Sequence, residues 1–330
     1  MIELIFTIDY ELYGDGTGSL REHVIEPARL LDEVFQKWSS RFVVFVEAAE
    51  FEVILKNRTD PEIDSVINQI EELYRKGHEV GLHLHPQWYN AKSVNGIWEL
   101  DAAQYNLCRL PAERIRLIVA RSIGFLRDAL KKPDFLPVSF RAGNWLFQPT
   151  QPAAKILFEF GIRIDSSVFK GGFFREYAVD YRAAQKNGYY WRFWEDAALA
   201  KNDGALLELP THAEIVPPWR MITLKRLSLQ KKAKSIGKAT KSARINLRDI
   251  LHSGYPMKLD FCRMTRSELE KMVSSIIRED QKSPSVFKPI VAIGHTKDLN
   301  DIETVEYLVE FLHKRKIPIS TLNSIYVKCV

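Results

Sequence analysis

The chain has 330 residues, of which 46% are hydrophobic and 27% are charged, a balance typical of a soluble globular protein. No run of about 18 apolar residues occurs, so we expect no transmembrane helix. The first residues lack the basic start and the cleavage site of a secretory signal. The three cysteines, Cys108, Cys262 and Cys329, are odd in number and far apart, which favours isolated thiols in a reducing cytoplasm over a disulfide framework.

Strand and helix patterns alternate along the whole chain. β-Branched and aromatic runs predict strands over 3–9, 41–47, 78–85, 162–168, 205–212, 257–263, 289–296 and 317–326, and a strand end followed by a loop over 138–145. Apolar residues at helical spacing predict helices over 26–38, 61–77, 113–130, 152–161, 266–280 and 301–316. This alternation predicts an α/β fold around a parallel sheet that is closed or nearly closed, in a single domain over 1–330.

Two segments interrupt the pattern and are interpreted as insertions: 170–204, which is rich in Tyr and Trp, and 220–256. Residues 220–250 carry ten cationic side chains and one acidic side chain, so the basic character of the chain belongs to the second insertion. Its leucines among lysines are compatible with an amphipathic helix on an anionic membrane surface. An anionic glycan or glycolipid ligand and a solvated charged segment are the alternatives. No other feature supports binding to nucleic acid.

Ionisable side chains stand at the ends of the predicted strands. In parallel α/β folds, the loops at the carboxyl ends of the strands meet at one rim and carry the functional residues. We therefore expect the following side chains on one rim: Asp9, Glu11, Glu47, Glu50, His83, His85, Arg141, Asp165, His212, Asp260, His295, Lys297 and Asp298.

His83 and His85 form the candidate metal site. Residues two apart on a strand share one face, and two imidazoles with a carboxylate commonly hold a divalent metal such as zinc. Asp9 or Glu11 would supply the oxygen, while the other carboxylate serves as general base. The simpler interpretation of each is a solvated polar residue at a strand end. His78, at the opposite end of the same strand, is interpreted as structural.

Further side chains complete a hydrolytic site. Arg141 could fix the ionisation of a carboxylate by pairing with it, with Asp165 as a partner, although an ordinary salt bridge is the alternative. His295 could donate a proton to a leaving group, although a strand-end histidine that only bonds the backbone also fits. The candidates for contact with a substrate are Trp88, Trp145 and His212.

Five short motifs follow one another along the chain: TIDYE at 7–11, GHEVGLHLH at 77–85, FRAG at 140–143, IDSSV at 164–168 and AIGHT at 292–296. In this order they resemble the polysaccharide deacetylase superfamily, the family 4 carbohydrate esterases. The resemblance implies a distorted (β/α) barrel with about seven parallel strands. It also implies a metal-dependent hydrolase that acts on N- or O-acetyl groups of sugars.

The resemblance assigns roles to the acidic residues and the arginine. Asp9 matches the general base of the family's first motif. Tyr10 replaces the adjacent aspartate that usually binds the metal, so Glu11, or Asp9 itself, takes the ligand role. Arg141 matches the arginine that tunes the base, and Asp165 resembles its acidic partner.

The resemblance also assigns roles to the histidines. His83 matches the first metal ligand of the second motif. Gln87 stands where the family's second metal histidine usually lies, and His85 is the substitute at a shorter spacing. His295 matches the late histidine that acts as general acid.

We therefore expect a metal-dependent hydrolase that removes an acetyl or related acyl group from an amino sugar, polysaccharide or glycolipid precursor. Zinc is the expected metal, with Co, Ni, Mn or Mg as alternatives, held by His83, His85 and Glu11. A catalytically altered carbohydrate-binding scaffold and an amidase on a small non-sugar amide are the alternative functions. The expected location is the cytoplasm, with peripheral contact to the inner face of the membrane through 220–256 as an open question.

Overall fold

A curled sheet of mostly parallel strands organises the chain in the computed structural model, which describes residues 1–221 and 254–330. In chain order, the strands β1 to β15 are Ile2–Tyr10, Val43–Glu47, Glu79–Leu84, Lys92–Val94, Ile97–Glu99, Ser139–Ala142, Ile164–Asp165, Phe173–Phe174, Val179–Asp180, Trp191–Phe193, Leu206–Glu208, Ala213–Val216, Tyr255–Lys258, Lys288–His295 and Ile319–Ser320. The α-helices α1 to α8 are Glu26–Lys37, Ala48–Asn57, Ile63–Arg75, Ala112–Leu130, Ala153–Glu159, Arg266–Lys282, Ile302–Lys314 and Leu322–Cys329.

The strand order of the main sheet confirms the expected barrel. Neighbouring strands follow the order β10, β11, β7, β6, β3, β2, β1 and β14, and the short β15 also pairs with β1. Every pairing is parallel except that of β10 with β11. Isolated bridges join Phe169 to Thr211 and Thr211 to Val291. The chain after β11 thereby reaches β14 and closes the curl into a distorted (β/α) barrel.

The inside of the barrel changes from apolar to charged along the strands. Alternate residues of β1 share one face, and Ile5 packs there in an apolar cluster with Phe45 and with Leu322 of α8. Thr7 and then Asp9 follow on the same face towards the carboxyl end. The charged groups at the rim therefore stand on an apolar floor.

Helices cover the outer face of the sheet. Leu4, Phe6 and Ile8 of β1 belong to the larger apolar cluster, which also contains the buried residues of the helices. Burial on both faces explains why the strands are almost continuously apolar instead of alternating. Helix α1 has Pro27 in its first turn, and Gly77, with a positive φ of 89°, follows α3.

Several predicted strands are shorter in the structure, and the local cause is visible for two of them. The predicted strand 317–326 is reduced to β15, because Thr321 and Ser324 form a capping box that starts helix α8. The predicted strand 257–263 corresponds to β13, which pairs antiparallel with β12 in a separate two-stranded sheet. Local apolar runs predicted both strands, but capping and pairing decided their extent.

Helix α2 is absent from the sequence prediction. It follows β2 without a break, and its N-cap is Glu47, whose side chain accepts a hydrogen bond from the backbone amide of Glu50. No glycine or proline separates the strand from the helix in this stretch. The boundary therefore lacks the residues that usually mark one.

The structure describes the two proposed insertions to different extents. Segment 170–204 contains the hairpin of β8 and β9, and then β10, which adds an antiparallel edge strand to the main sheet. Of the basic insertion 220–256, residues 222–253 lie outside the described residues, so its membrane and ligand interpretations stay predictions. In the described part of the chain, the helices are all too short or too polar to span a bilayer. The three cysteines are free thiols, as expected.

His78 precedes β3, at the opposite end of that strand from His83, and is structural as predicted. Its Nδ1 accepts a hydrogen bond from the Phe42 amide at 3.2 Å, so Nε2 carries the proton and donates to Asp32 Oδ1 at 2.9 Å. Burial raises the pKa of Asp32, but hydrogen bonds from His78 and Lys76 outweigh burial and lower it to about 2.

Replacing Asp32 by Asn should lower the free energy of unfolding by about 2 kcal/mol at neutral pH, because the pKa of the carboxyl falls from 3.8 to about 2 on folding. Because folding lowers the pKa of Asp32, its contribution to stability is complete above the unfolded-state pKa of 3.8. The contribution is lost as the pH falls from 3.8 through the folded-state pKa of about 2. Urea unfolding of both proteins at neutral and acidic pH measures the difference. A difference that stays constant down to the acid limit of folding would contradict an ionised Asp32.

Candidate active site

Two buried carboxylates at the end of β1 form the centre of the rim. Asp9 and Glu11 are two residues apart, which brings both towards the same side. Arg141 Nη1 lies 2.7 Å from Asp9 Oδ1, and Lys297 Nζ lies 2.7 Å from Glu11 Oε1. Burial acts to raise the pKa of Glu11, but Lys297 and the histidines hold it well below its usual value. Each carboxylate thus has one oxygen held by a cation and one oxygen that faces the histidines.

Three histidines surround the second oxygens. Glu11 Oε2 lies 3.4 Å from His83 Nε2 and 3.0 Å from His85 Nε2. Asp9 Oδ2 lies 3.9 Å from His83 Nε2 and 3.3 Å from His295 Nε2. Glu11, His83 and His85 offer ligand atoms within 4.8 Å of one another, as do Asp9, Glu11 and His295. Glu11 belongs to both groups and lies closer to His83 than Asp9 does.

The tautomer of His83 fits a metal ligand. Its Nδ1 lies 2.9 Å from the carbonyl oxygen of Arg141, which can only accept, so Nδ1 carries the proton and Nε2 presents a lone pair. Nε2 is buried without a hydrogen-bond partner among the described residues. Burial lowers the pKa of His83, but Asp9 and Glu11 outweigh burial and raise it. The surroundings therefore favour a positive charge at Nε2, which a divalent cation would supply.

Two amide side chains orient His85. Its Nδ1 lies 3.3 Å from Gln87 Nε2 and 3.4 Å from Asn144 Nδ2, while Gln87 Oε1 is buried without a partner in the described structure. If the Gln87 amide is rotated by half a turn, its Oε1 accepts the proton on His85 Nδ1. Nε2 of His85 is then unprotonated and free to bind a metal. Two imidazoles and one carboxylate oxygen are the protein ligands of many catalytic zinc sites. The residues present therefore fit a divalent metal.

Arg141 is entirely buried and fixes Asp9 in place. Its guanidinium lies 4.3 Å from the centre of the Phe45 ring and donates to Thr7 Oγ1 at 2.9 Å and to the carbonyl oxygen of Ser166 at 3.0 Å. Burial acts to raise the pKa of Asp9, but Arg141 and the histidines lower it overall. Asp9 is therefore ionised at neutral pH.

His295, the last residue of β14, lies between two carboxylates. Its Nε2 faces Asp9, and its Nδ1 lies 3.6 Å from Asp298 Oδ2, which Arg263 Nη2 approaches to 2.7 Å. Burial lowers the pKa of His295, although Asp9 and Asp298 oppose the shift. The imidazole is therefore neutral near pH 7 and can both accept and donate a proton.

A second pair of acids holds the backbone beside the histidines. Glu47 Oε1 accepts a hydrogen bond from the His85 amide at 2.7 Å, and Glu50 Oε2 accepts one from the Leu12 amide at 2.9 Å. Burial raises the pKa of Glu47 well above its usual value and that of Glu50 to about 8. Glu50 is therefore mostly protonated near pH 7, and burial disfavours the charge of Glu47 as well. The two side chains fix the ends of β1 and β3.

Asp165 supports the arginine indirectly. Its Oδ1 accepts a hydrogen bond from Ser167 Oγ at 2.6 Å, and the buried Glu208 lies beside it. Arg141 contacts the intervening Ser166, and no ion pair joins Arg141 to Asp165 in the parts of the chain described. The predicted pairing of these two residues is thus replaced by contacts through the loop between them.

Two of the three predicted substrate contacts are aromatic. Trp88 is 1% exposed and packs edge-to-face on Trp98, with ring centres 5.2 Å apart, so it has almost no surface to offer a ligand. Trp145 is half-buried, and the Arg141 guanidinium lies 5.9 Å from the centre of its ring. Trp145 therefore stands beside the rim cluster, whereas Trp88 packs beneath the surface.

The third, His212, lies further down the barrel wall. Its backbone amide donates to the carbonyl oxygen of Val291, four residues before His295 in β14. Burial, with the charge of Lys170 nearby, lowers the pKa of His212 to about 4. The structure does not bring His212 together with the rim histidines, and its substrate role stays a prediction.

Lys297 is a rim residue to which the sequence analysis gives no role. Its Nζ donates to Glu11 Oε1 at 2.7 Å and to the carbonyl oxygen of Leu12 at 2.8 Å. The position was visible in the sequence, two residues after His295 at the end of a predicted strand. The pairing itself requires β14 to lie beside β1, with Asp9 opposite His295, and no local pattern shows that neighbourhood.

Solved structures share this fold at low sequence identity. A candidate polysaccharide deacetylase from Mycobacterium smegmatis matches with a TM-score of 0.54 and 16% identity, over 100% of this chain and 92% of that chain. A GH57 branching enzyme from Thermococcus kodakaraensis matches with a TM-score of 0.57 and 13% identity, over 99% of this chain and 71% of that chain. The PuuE allantoinase matches with a TM-score of 0.51 and 11% identity, over 98% of this chain and 88% of that chain.

These similarities establish the fold, whereas the reaction has to be inferred from the residues of the site. No protein-family model and no curated protein matches the sequence. The similar structures include enzymes with different reactions, so the barrel alone does not select one.

Gly143 allows the end of β6 to approach His85 closely. A Cβ atom on Gly143 would lie 2.6 Å from the carbonyl oxygen of Leu84 and 2.7 Å from the His85 ring. Gly143→Ala should therefore displace His85 and weaken zinc binding about 10- to 100-fold. Competition with a chromogenic chelator measures the affinity.

Gly124→Ala in helix α4 is the matched control, because no atom lies within 4 Å of the added Cβ. It should leave zinc affinity unchanged and stabilise the fold by up to about 1 kcal/mol. Unchanged zinc affinity in a folded Gly143→Ala protein would exclude His85 as a ligand.

Proposed function

We propose that this protein is a metal-dependent hydrolase that removes an acetyl or related acyl group from an amino sugar, polysaccharide or glycolipid precursor. The observation that carries the proposal is the group formed by Glu11, His83 and His85, whose ligand atoms lie within 4.8 Å of one another beside the proton-accepting pair of Asp9 and His295. The fold shared with a candidate polysaccharide deacetylase supports the sugar substrate.

His83, His85 and Glu11 would hold the metal, with zinc as the first candidate. A divalent cation held there would lower the pKa of a water molecule and polarise the acyl carbonyl. Lys297 keeps Glu11 ionised, and the Arg141 carbonyl keeps His83 in the required tautomer. These two contacts orient the free oxygen of Glu11 and Nε2 of His83 towards each other, at the position proposed for the metal.

Asp9 and His295 move the protons of the reaction. Asp9 Oδ2 accepts a proton from the attacking water while Arg141 holds the other oxygen. His295 Nε2 lies 3.3 Å from Asp9 Oδ2, so the neutral imidazole takes up this proton and delivers it to the departing nitrogen or oxygen. The C–N or C–O bond breaks, and the products are acetate and the free amine or hydroxyl.

A second candidate is an amidase that acts on a small amide other than a sugar. The fold shared with an allantoinase favours it, and the same proton path and metal ligands would serve an amide of any origin. Assays for released amine on N-acetylated sugars, and on small amides and ureides, separate the two candidates.

His83→Ala should reduce bound zinc from about one per chain to near zero and lower kcat/KM about 100-fold or more, because the lone pair on Nε2 is removed. Elemental analysis and a fluorogenic amine assay on N-acetylated oligosaccharides measure the two effects. His313→Ala, at an exposed histidine near the end of α7, is the control and should retain both. Full activity in a zinc-free His83→Ala protein would disprove the metal-dependent mechanism.

His295→Gln should lower kcat about 100-fold or more with little change in zinc content, because the side chain is placed to transfer a proton. A glutamine can still hydrogen-bond to Asp9, so the fold should survive. Loss of zinc together with activity would instead identify His295 as a ligand in the group with Asp9 and Glu11. Zinc content and kcat measured on the same preparation separate these results.

A further inference from the structure

Lys258 places an unpaired cation next to the rim. It is the last residue of β13, and its Nζ lies 4.4 Å from the centre of the Trp145 ring and 4.6 Å from that of Phe169. The two rings pack edge-to-face, with centres 5.0 Å apart. The faces of aromatic rings attract an ammonium group electrostatically. They do not replace the oxygen atoms that its N–H groups need as hydrogen-bond acceptors.

The other cations of the rim all have carboxylate partners, whereas Lys258 has none in the described structure. Arg141 pairs with Asp9, Lys297 with Glu11, and Arg263 with Asp298. No hydrogen bond or ion pair of the Lys258 ammonium is found in the described part of the chain. A half-buried ammonium with unused donors is costly unless a ligand or water supplies acceptors.

Lys258 is close enough to the rim to interact electrostatically with the rim carboxylates. Burial lowers the pKa of Lys258 to about 8, and the carboxylates of Asp260 and Asp9 oppose this shift. The ammonium is therefore still mainly protonated at neutral pH. Trp145 connects the two places, because its ring centre lies 4.4 Å from Lys258 Nζ and 5.9 Å from the guanidinium of Arg141, which binds Asp9. Lys258 is therefore within reach of a substrate held at Asp9, the carboxylate at the centre of the proposed reaction.

We propose that Lys258 is a specificity-determining residue that binds an anionic group, a carboxylate or a phosphate, carried by the sugar whose acyl group is removed. This inference rests on the proposed function and narrows its substrate class to acidic acylamino sugars. Trp145 and Phe169 hold the lysine in position from two sides. The anion supplies the acceptors that the chain does not.

The sequence around Lys258 agrees with an anionic ligand. Residues 222–253, which join β12 to the strand that ends at Lys258, carry nine cationic side chains and one acidic side chain. A surplus of positive charge raises the local concentration of anionic ligands and speeds their association. The specific contact and the general attraction therefore favour the same class of substrate.

Calorimetric titration of the full-length zinc-loaded protein tests the proposal without requiring turnover. The ligands are N-acetylglucosamine, N-acetylglucosamine 1-phosphate and N-acetylmuramic acid, which are neutral, phosphate-bearing and carboxylate-bearing sugars. At least one anionic sugar should bind tenfold or more tightly than the neutral one. Comparison of the two anionic sugars identifies which group the site takes.

Lys258→Met should reduce this preference to within twofold and leave binding of the neutral sugar unchanged, whereas Lys258→Arg should keep part of it. Lys170→Met is the matched control. Lys170 also lies near two rings, those of Tyr189 and Trp191, but its Nζ donates to the carbonyl oxygen of Asn187 at 2.6 Å. The control should keep the full preference.

Three results would overturn the inference: equal or undetectable binding of all three sugars, a preference that survives Lys258→Met, or a preference that is lost equally in Lys170→Met. A preference that survives Lys258→Met but disappears at high salt would assign it to the basic segment instead. If the preference depends on Lys258 but no acyl group is released from any sugar, the proposed function fails while the anion site stands. If acyl groups are released equally fast from neutral and anionic sugars, the specificity fails and the hydrolase stands.

Discussion

The site depends on one constraint: Asp9 and Glu11 each have one oxygen bound by a cation and the other directed at histidines. Asp9 and Glu11 are buried, and burial alone would raise their pKa values and neutralise them. Arg141 and Lys297 prevent this by binding one oxygen of each. The remaining oxygens of the two ionised carboxylates are directed at the imidazoles of His83, His85 and His295. Removal of either cation would leave a buried charge uncompensated or a ligand oxygen protonated.

The residues around Asp9 and Glu11 add little further charge to the site. The apolar cluster around Ile5 and Phe45 forms the floor, so polar groups at the rim act in a medium of low dielectric constant, where electrostatic interactions are strong. Glu47 and Glu50 anchor backbone amides, and burial disfavours the charge of both. His295 is neutral and is therefore available to receive a proton. The site carries charge where the proposed chemistry uses it.

Among the rim cations of the described residues, Lys258 is the exception to the pairing of charges, and we propose that the substrate supplies its partner. Enzymes of different chemistry share this fold, so recognition of a substrate has to come from side chains particular to this chain. Lys258, held between Trp145 and Phe169, is such a side chain. Gln87, which stands where the resemblance implies a metal histidine, contacts His85 instead. Both adapt the site without changing the barrel.

The sequence by itself determined the barrel, the rim and most of the residues on it, because strand-end positions in a parallel α/β pattern share one edge regardless of details elsewhere. It placed Asp9, Glu11, His83, His85, Arg141 and His295 on the rim, and it left open whether Asp9 or Glu11 is the metal ligand. Only the tertiary structure decided the pairings: Lys297 with Glu11, Asp165 with its own loop, and Lys258 with two aromatic rings. The contacts of Lys297 and Lys258 join residues far apart in the chain, and they depend on strand register, on side-chain direction and on which strands are neighbours. Local periodicity carries none of that information. It also could not place the start of α2 or of α8, where capping side chains decide between strand and helix.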